Sequence, residues 1–510
     1  MPARRAPLVA LTVAVLGGLV ALFPAHALAT TTCADVCGTS DPCTIGATIT
    51  IDPDQVFDCS AYTQIIIGDF GTLKVSDGSF QFLGNSLDVK PGGKIKATAT
   101  GANSDIGVDI ELTGNLDLCG KVLANSDWGG GVVTISTGGY MRIDEAGTNG
   151  IEANGTSTDA DGGDIELTST GDVTINCPIH ADGDGGSGTT SGGSITIETN
   201  GSISTSLDGV ITATARKGEG GSIRLQADGA ITTGTNLDAF GKLDTGNGGI
   251  VDIAADAVTI GGPISVRGGV GANGGQATGG ALQIESGCGG VALNANLDAR
   301  ASDTAGLLGG ALLIDSVGDV TLAAGVQILT LATQADGLGG DVSIRSQGKV
   351  TLQSSVLIDA RGDTVGTDGE GASVDIEGCT VELDPSAKID ARGYTGGLVT
   401  IQGGDEELAL PLGAGTQQLL VIDATASVLA AGNSSDEDGE ISLTVRHATQ
   451  GQCLNQPTVP CTLDSDCTAG CSTDECVDAN PDTSGEEGQF DLVPSRDHRS
   501  ALVSCVATCP

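Results

Sequence analysis

Four short phrases, LDAF (237–240), LDAR (297–300), IDAR (358–361) and IDAR (389–392), repeat an aspartate, and the last three add an arginine two residues on. Asp238, Asp298, Asp359 and Asp390 thus share one place in a recurring pattern, followed by Arg300, Arg361 and Arg392, with Arg267 of ISVR equivalent to these arginines. In a strand whose Ile, Leu and Ala side chains point inward, Asp and Arg share the outward face. Stacked on adjacent strands, Asp359 and Asp390 would stand about 5 Å apart, a spacing that suits the nucleophile and acid of a retaining glycosidase, whereas carboxylates two strands apart suit an inverting one. One member of either pair would need a raised pKa to act as the acid. The same face could bind a sugar polymer without turnover, with Asp298, Arg300, Asp359, Arg361, Asp390 and Arg392 as its contacts. The structural alternative is a surface charge ladder, each Asp–Arg contact contributing about 0.2–1 kcal/mol. Aromatic rings, which stack on sugars, are few, and Trp128 and Tyr140 lie far along the chain from this column.

A second set of oxygen donors lies in two acidic loops. TDADGGD supplies Asp159, Asp161 and Asp164, and HADGDGG supplies Asp182 and Asp184. Calcium takes six to eight oxygens, and stacked carboxylate loops could offer them. Neither loop has EF-hand or glycine/aspartate nonapeptide spacing, so a solvated acidic loop is the competing reading. Calcium is the one cofactor the sequence suggests. Three histidines, His180, His447 and His498, remain after His26 of the leader. They are too widely spaced for a zinc set or a nucleophile–base pair.

The element that must position these groups is a repeat. Glycine doublets recur about every 30 residues, at Gly130-Gly131, Gly162-Gly163, Gly192-Gly193, Gly220-Gly221, Gly248-Gly249, Gly279-Gly280, Gly309-Gly310, Gly339-Gly340 and Gly396-Gly397. Each opens three short alternating segments, as in GGSITIETNGSISTSLDGVITATARKGEGG. Period-two alternation marks strands with one buried face, here with Ile195, Ile197, Ile203, Val210 or Ile211, and Ala213 inward. Such a unit cannot bury its apolar face alone, so neighbours stack. The fold class expected is all-β, a right-handed single-stranded parallel β-helix of three sheets with disulfide-rich ends. About a dozen coils at roughly 4.8 Å each give a rod on the order of 60 Å. A propeller needs four antiparallel strands per blade, and a horseshoe needs a Leu/Asn consensus that is missing. The doublets precede strands and carry no Walker lysine, so they mark sharp corners, where a positive φ would favour glycine, and not phosphate loops.

The coil phrase I-x-A-x-G…GG-x-I-x-I-x-x-x-G-x-I, over roughly residues 92–447, resembles the β-helix repeats of filamentous haemagglutinin-like adhesins and autotransporter passenger domains. That resemblance implies an exported rod used in adhesion. No NPNG-type secretion cap is present at the start. PCTLDSDCTAGCSTDEC (460–476) resembles the short cysteine-rich modules of secreted myxobacterial-type proteins, which implies disulfides and no particular activity.

The expected organisation is a signal peptide over 1–29, a cysteine-containing cap over 30–64, the β-helix over 65–447 and a cysteine-rich tail over 448–510. Arg4 and Arg5, the apolar run Leu8 to Phe23 and Ala27-Leu28-Ala29 form the export signal. Fifteen cysteines then sit in a compartment that permits disulfides. No later stretch is apolar enough to span a bilayer. A formal charge of −43 repels phosphate, which argues against nucleic acid and anionic lipid as partners. The function expected is an exported, non-enzymatic rod acting as an adhesin, surface-structural or matrix protein, with extracellular glycans or cell-surface components as partners. The alternative is a polysaccharide lyase or glycoside hydrolase of the pectate-lyase or polygalacturonase type.

Overall fold

The computed structural model describes residues 31–445, apart from 100–104, 145–149, 158, 186–189, 243–245, 270–276, 302–305, 333–335, 364–368, 405–419 and 433–438, together with short strands within 451–478. The expected export signal lies outside the described residues. Successive thirty-residue units wind into a parallel β-solenoid. Each coil contributes a first strand such as Ser194–Thr199, a second such as Ile203–Thr205 and a third such as Ile211–Thr212. Each of these pairs in parallel with its counterpart one coil on, and the third strands alone form a 14-stranded sheet.

The alternation is what the register stacks. Ile165, Ile195, Ile223 and Val251 are consecutive Cα partners, as are Leu167, Ile197, Leu225 and Ile253, and all are within 1% of complete burial. Of Val210 and Ile211, it is Ile211 that turns inward. Each buried aliphatic side chain contributes about 1.5–3 kcal/mol relative to exposure. A single hydrophobic cluster runs from Cys33 to Leu443, so the rod has one continuous core.

The three strand columns expected are present, and two of them are joined. In four coils the first and second strands run together, as Ile250–Ile260, Ala281–Leu293, Val342–Leu352 and Ser373–Leu383. The first two columns therefore merge into one 24-stranded sheet, and only the third stands apart. At those corners the backbone stays in the ladder, past Gly287, Gly289 and Gly290 in one coil, Gly348 in another and Gly378 in a third, so the ladder bends instead of breaking.

The glycine doublets serve crowding and not unusual torsion. None of them is among the positive-φ residues. A Cβ on Gly248 would meet the Val266 carbonyl oxygen at 1.8 Å, and one on Gly193 the Gly163 oxygen at 1.9 Å. The backbone of one coil rests directly on the next at this seam, which leaves no space for any side chain.

At the amino end, helix Cys33–Cys37 stands where a first-column strand would come, held by a capping box between Thr32 and Asp35. Cys33–Cys59 and Cys37–Cys43 are disulfides, and Tyr62 donates its hydroxyl proton to the Gly38 carbonyl at 2.7 Å. Phe57, Phe80 and Phe82 fill the interior behind it. In the tail, Gly451–Cys453, Gln456–Cys461 and Cys476–Asp478 make a small antiparallel sheet.

Candidate functional site

The third strands place the aspartate column. Reading one residue per coil in register gives Glu152, His180, Thr212, Asp238, Ser265, Asp298, Leu329, Asp359 and Asp390. Asp359 and Asp390 are therefore direct neighbours. Asp298 stands two rungs from Asp359 across Leu329, and Asp238 two rungs from Asp298 across Ser265.

Asp359 and Asp390 are not displayed to solvent as expected. The Asp390 side chain is 0% exposed and that of Asp359 9%. The cause is the arginine two residues on, which folds back over its own aspartate. Arg361 donates from Nε and from a terminal nitrogen to the two Asp359 oxygens, both at 2.7 Å, and Arg392 does the same to Asp390 at 2.8 Å. Arg300 clasps Asp298 likewise at 2.9 Å. Planar guanidinium and carboxylate match bidentately, which makes these the stronger class of ion pair. Lys388 adds a contact to Asp390 at 2.8 Å, and Arg361 reaches across the rung to it at 3.8 Å. Burial alone would raise the Asp390 pKa, but hydrogen bonds from Arg392 and Lys388 outweigh it and bring it to about 2. A carboxylate held this way is a poor proton donor.

Asp238 differs because Phe240 occupies the arginine position. Arg267, one coil on, lays its guanidinium over the Phe240 ring at 5.0 Å instead of clasping Asp238. No hydrogen bond from the described residues reaches the Asp238 carboxylate. Burial pushes its pKa up to about 6, with Asp182 adding to the rise and Arg267 and Lys242 opposing it. The sequence signal for this exception was the Phe in LDAF.

The two acidic loops are partly knitted into the coils. Asp159–Ala160 pairs antiparallel with Asp184–Gly185. Asp182 accepts from the Thr214 backbone at 2.7 Å and hydroxyl at 2.6 Å, and from the Thr212 hydroxyl at 2.9 Å. His180 Nδ1 lies 2.7 Å from that same hydroxyl. Asp161 accepts from the Ser191 backbone at 2.7 Å, and Asp184 pairs with Arg216 at 3.2 Å. Asp164 opens a first-column strand and is exposed. Among the described residues, Cys33, Cys37 and Cys43 form the only trio of potential ligands with donor atoms gathered within 4.8 Å, and these cysteines are in disulfides. The five aspartates are not brought together as a cage.

A feature the sequence did not announce is a shallow groove of about 460 Å³ on the glycine seam. It is floored by glycines and edged by Leu308, Leu338, Leu398, Asp341, Glu370 and Glu440. Its only signal was a leucine beside three of the doublets.

No family model matches the chain, and no curated protein is similar to it. Among solved structures, the chain is similar to the crystal structure of the HMW1 secretion domain from Haemophilus influenzae, at 17% identity and a TM-score of 0.25, with 75% of this chain and 94% of that one covered.

Proposed function

We propose that this chain is an exported, non-enzymatic β-solenoid rod that serves as a surface-structural or adhesive element outside the cell. The observation that carries this reading is the state of its aligned carboxylates: Asp298, Asp359 and Asp390 are each held bidentately by Arg300, Arg361 and Arg392. Such clasps strengthen a column and immobilise the groups a glycosidase would need free. Export is supported by the sequence of the first 29 residues and by two disulfides, which persist in oxidising compartments. Glycan contact would fall on the arginine edge of the column, where Arg361 and Arg392 remain 39% and 38% exposed.

A second reading, a polysaccharide hydrolase, is favoured by Asp238, whose raised pKa suits an acid and whose two-rung distance from Asp298, roughly 9.6 Å, falls at the upper limit for inversion. One experiment separates the two. The secreted protein is incubated with a polysaccharide panel, with and without calcium, and bound polymer and released reducing ends are scored separately. The rod predicts binding without release. Release that disappears in Asp238→Asn would overturn it.

A further inference from the structure

Asp238 stands in a column whose other aspartates each have a guanidinium fork two residues on. Asp298, Asp359 and Asp390 are clasped by Arg300, Arg361 and Arg392, whereas a phenyl ring, Phe240, follows Asp238. Arg267, which reaches Phe240 from the next coil, directs its guanidinium to the ring. The half-buried Asp238 carboxylate is left with no hydrogen-bond donor among the described residues.

The rung beneath has no donor to offer. Thr212 is the direct neighbour of Asp238 in register, but its hydroxyl proton goes to Asp182 at 2.9 Å. A hydroxyl has one proton, so His180 Nδ1, 2.7 Å from the same oxygen, is the donor in that contact. Asp182 accepts two further hydrogen bonds from Thr214, at 2.7 and 2.6 Å. These contacts draw its carboxylate to the Thr212 rung, one rung of about 4.8 Å below Asp238. Two carboxylates thus stand close together, one supplied with three donors and the other with none.

The surroundings define what could fill the gap. An anion would meet both carboxylates. A simple cation would gain little, because Arg267 and Lys242 already act on Asp238. A neutral ligand that donates to Asp238 and accepts from Lys242 fits both conditions. A vicinal diol does so, since its two hydroxyls can donate to the two oxygens of one carboxylate, as the guanidinium fork does on the other rungs. Phe240 adds an apolar aromatic surface beside these polar groups, the combination that small-molecule sites use. Unpartnered ionisable groups lower stability, and functional sites are where proteins retain them.

We infer that Asp238, Phe240, Lys242 and Arg267 form a binding subsite for a neutral glycan, whose adjacent hydroxyls donate to the Asp238 carboxylate. Resting on the reading of the rod as a non-enzymatic, glycan-contacting element, the subsite narrows that contact from the whole arginine edge to one rung.

Isothermal titration of the secreted protein at pH 8 with cellohexaose, maltohexaose, xylohexaose and hexagalacturonate tests this. At least one neutral hexasaccharide should bind, and the acidic one should not. Asp238→Ala should weaken the neutral complex about tenfold or more, as expected for loss of a charged hydrogen-bond acceptor. Phe240→Arg turns LDAF into the LDAR phrase and should weaken it as much, by clasping the carboxylate while leaving it in place. Circular dichroism melting at pH 8 verifies that both variants are folded. Undiminished binding in either folded variant would overturn the inference and leave glycan contact elsewhere on the rod standing. Binding of hexagalacturonate alone, or of no hexasaccharide, would also overturn it. Reducing ends released from a bound hexasaccharide would instead remove the non-enzymatic reading, and the subsite would stand if both variants lose that binding.

Discussion

Arg361 and Asp390 belong to different coils, yet the guanidinium that clasps Asp359 also lies 3.8 Å from the Asp390 carboxylate. Two like charges in direct register are thereby tolerated because Arg361 and Arg392 each neutralise their own aspartate, and Arg361 also leans on the next.

Removing the clasp should expose its contribution. Arg392→Ala leaves Asp390 buried with Lys388 as its principal cation, and should destabilise the carboxyl-terminal coils by about 1–3 kcal/mol. Arg300→Ala should cost less, because Asp298 is 20% exposed and can recover water. Urea unfolding followed by hydrogen exchange over residues 280–400 would order the two variants, and equal losses would contradict the account.

Asp390 also sets an acid limit. Its folded pKa of about 2 lies below the ordinary value of 3.8, so its stabilisation is fully present above pH 4 and drains away as pH falls toward 2. Asp390→Asn should flatten that part of the stability profile while lowering stability at neutral pH, as a melting series between pH 2 and 7 would reveal.

Asp238 has the opposite sign. With a folded pKa of about 6 against 3.8, its contribution is fully present below pH 4 and is lost as pH rises through 6. Asp238→Asn should therefore stabilise the rod above pH 7, by at most about 3 kcal/mol, and have little effect near pH 4. A variant that melts lower than wild type at pH 8 would show that the carboxylate has a partner after all.

The glycine seam predicts a sharp positional contrast. Gly248→Ala must displace the Val266 carbonyl and should cost more than about 3 kcal/mol, while Gly46→Ala, with open space around it, should be nearly neutral. Secretion yield and circular dichroism melting of the two variants make the comparison.

Loss of the amino-terminal staples should act locally. Cys33→Ala/Cys59→Ala should lower protection by about 2–4 kcal/mol in the coils up to residue 84, and leave Ile195, Ile223 and Val251 unchanged, since coils interact only with their neighbours. Hydrogen exchange resolved along the chain reads this directly, and a uniform loss would indicate a cooperative unit longer than a few rungs.

The repeat made most of the solenoid legible. Alternation in segments such as SITIET identified Ile195 and Ile197 as interior, and the alignment of LDAR with IDAR put Asp359 beside Asp390. Alternation distinguishes inside from outside but says nothing about rotamers. That is why the burial of Asp390 under Arg392 was not readable. Ser265 in the column was already implied by aligning ISVR with IDAR, whereas Leu329, between Asp298 and Asp359, is placed there by register. The glycines were recognised as corners for the wrong reason, since stacking so close that an added Cβ would fall 1.8 Å from a carbonyl oxygen leaves no mark on sequence beyond the glycine itself.

Because the strands of the two large sheets pair in parallel, each with the coils directly above and below, tension along the axis acts on one rung's ladder at a time. Stretched, such a rod would not snap as a unit. It would pay out slack winding by winding, each of about 30 residues releasing on the order of 100 Å of thread, which makes the shaft an extensible tether.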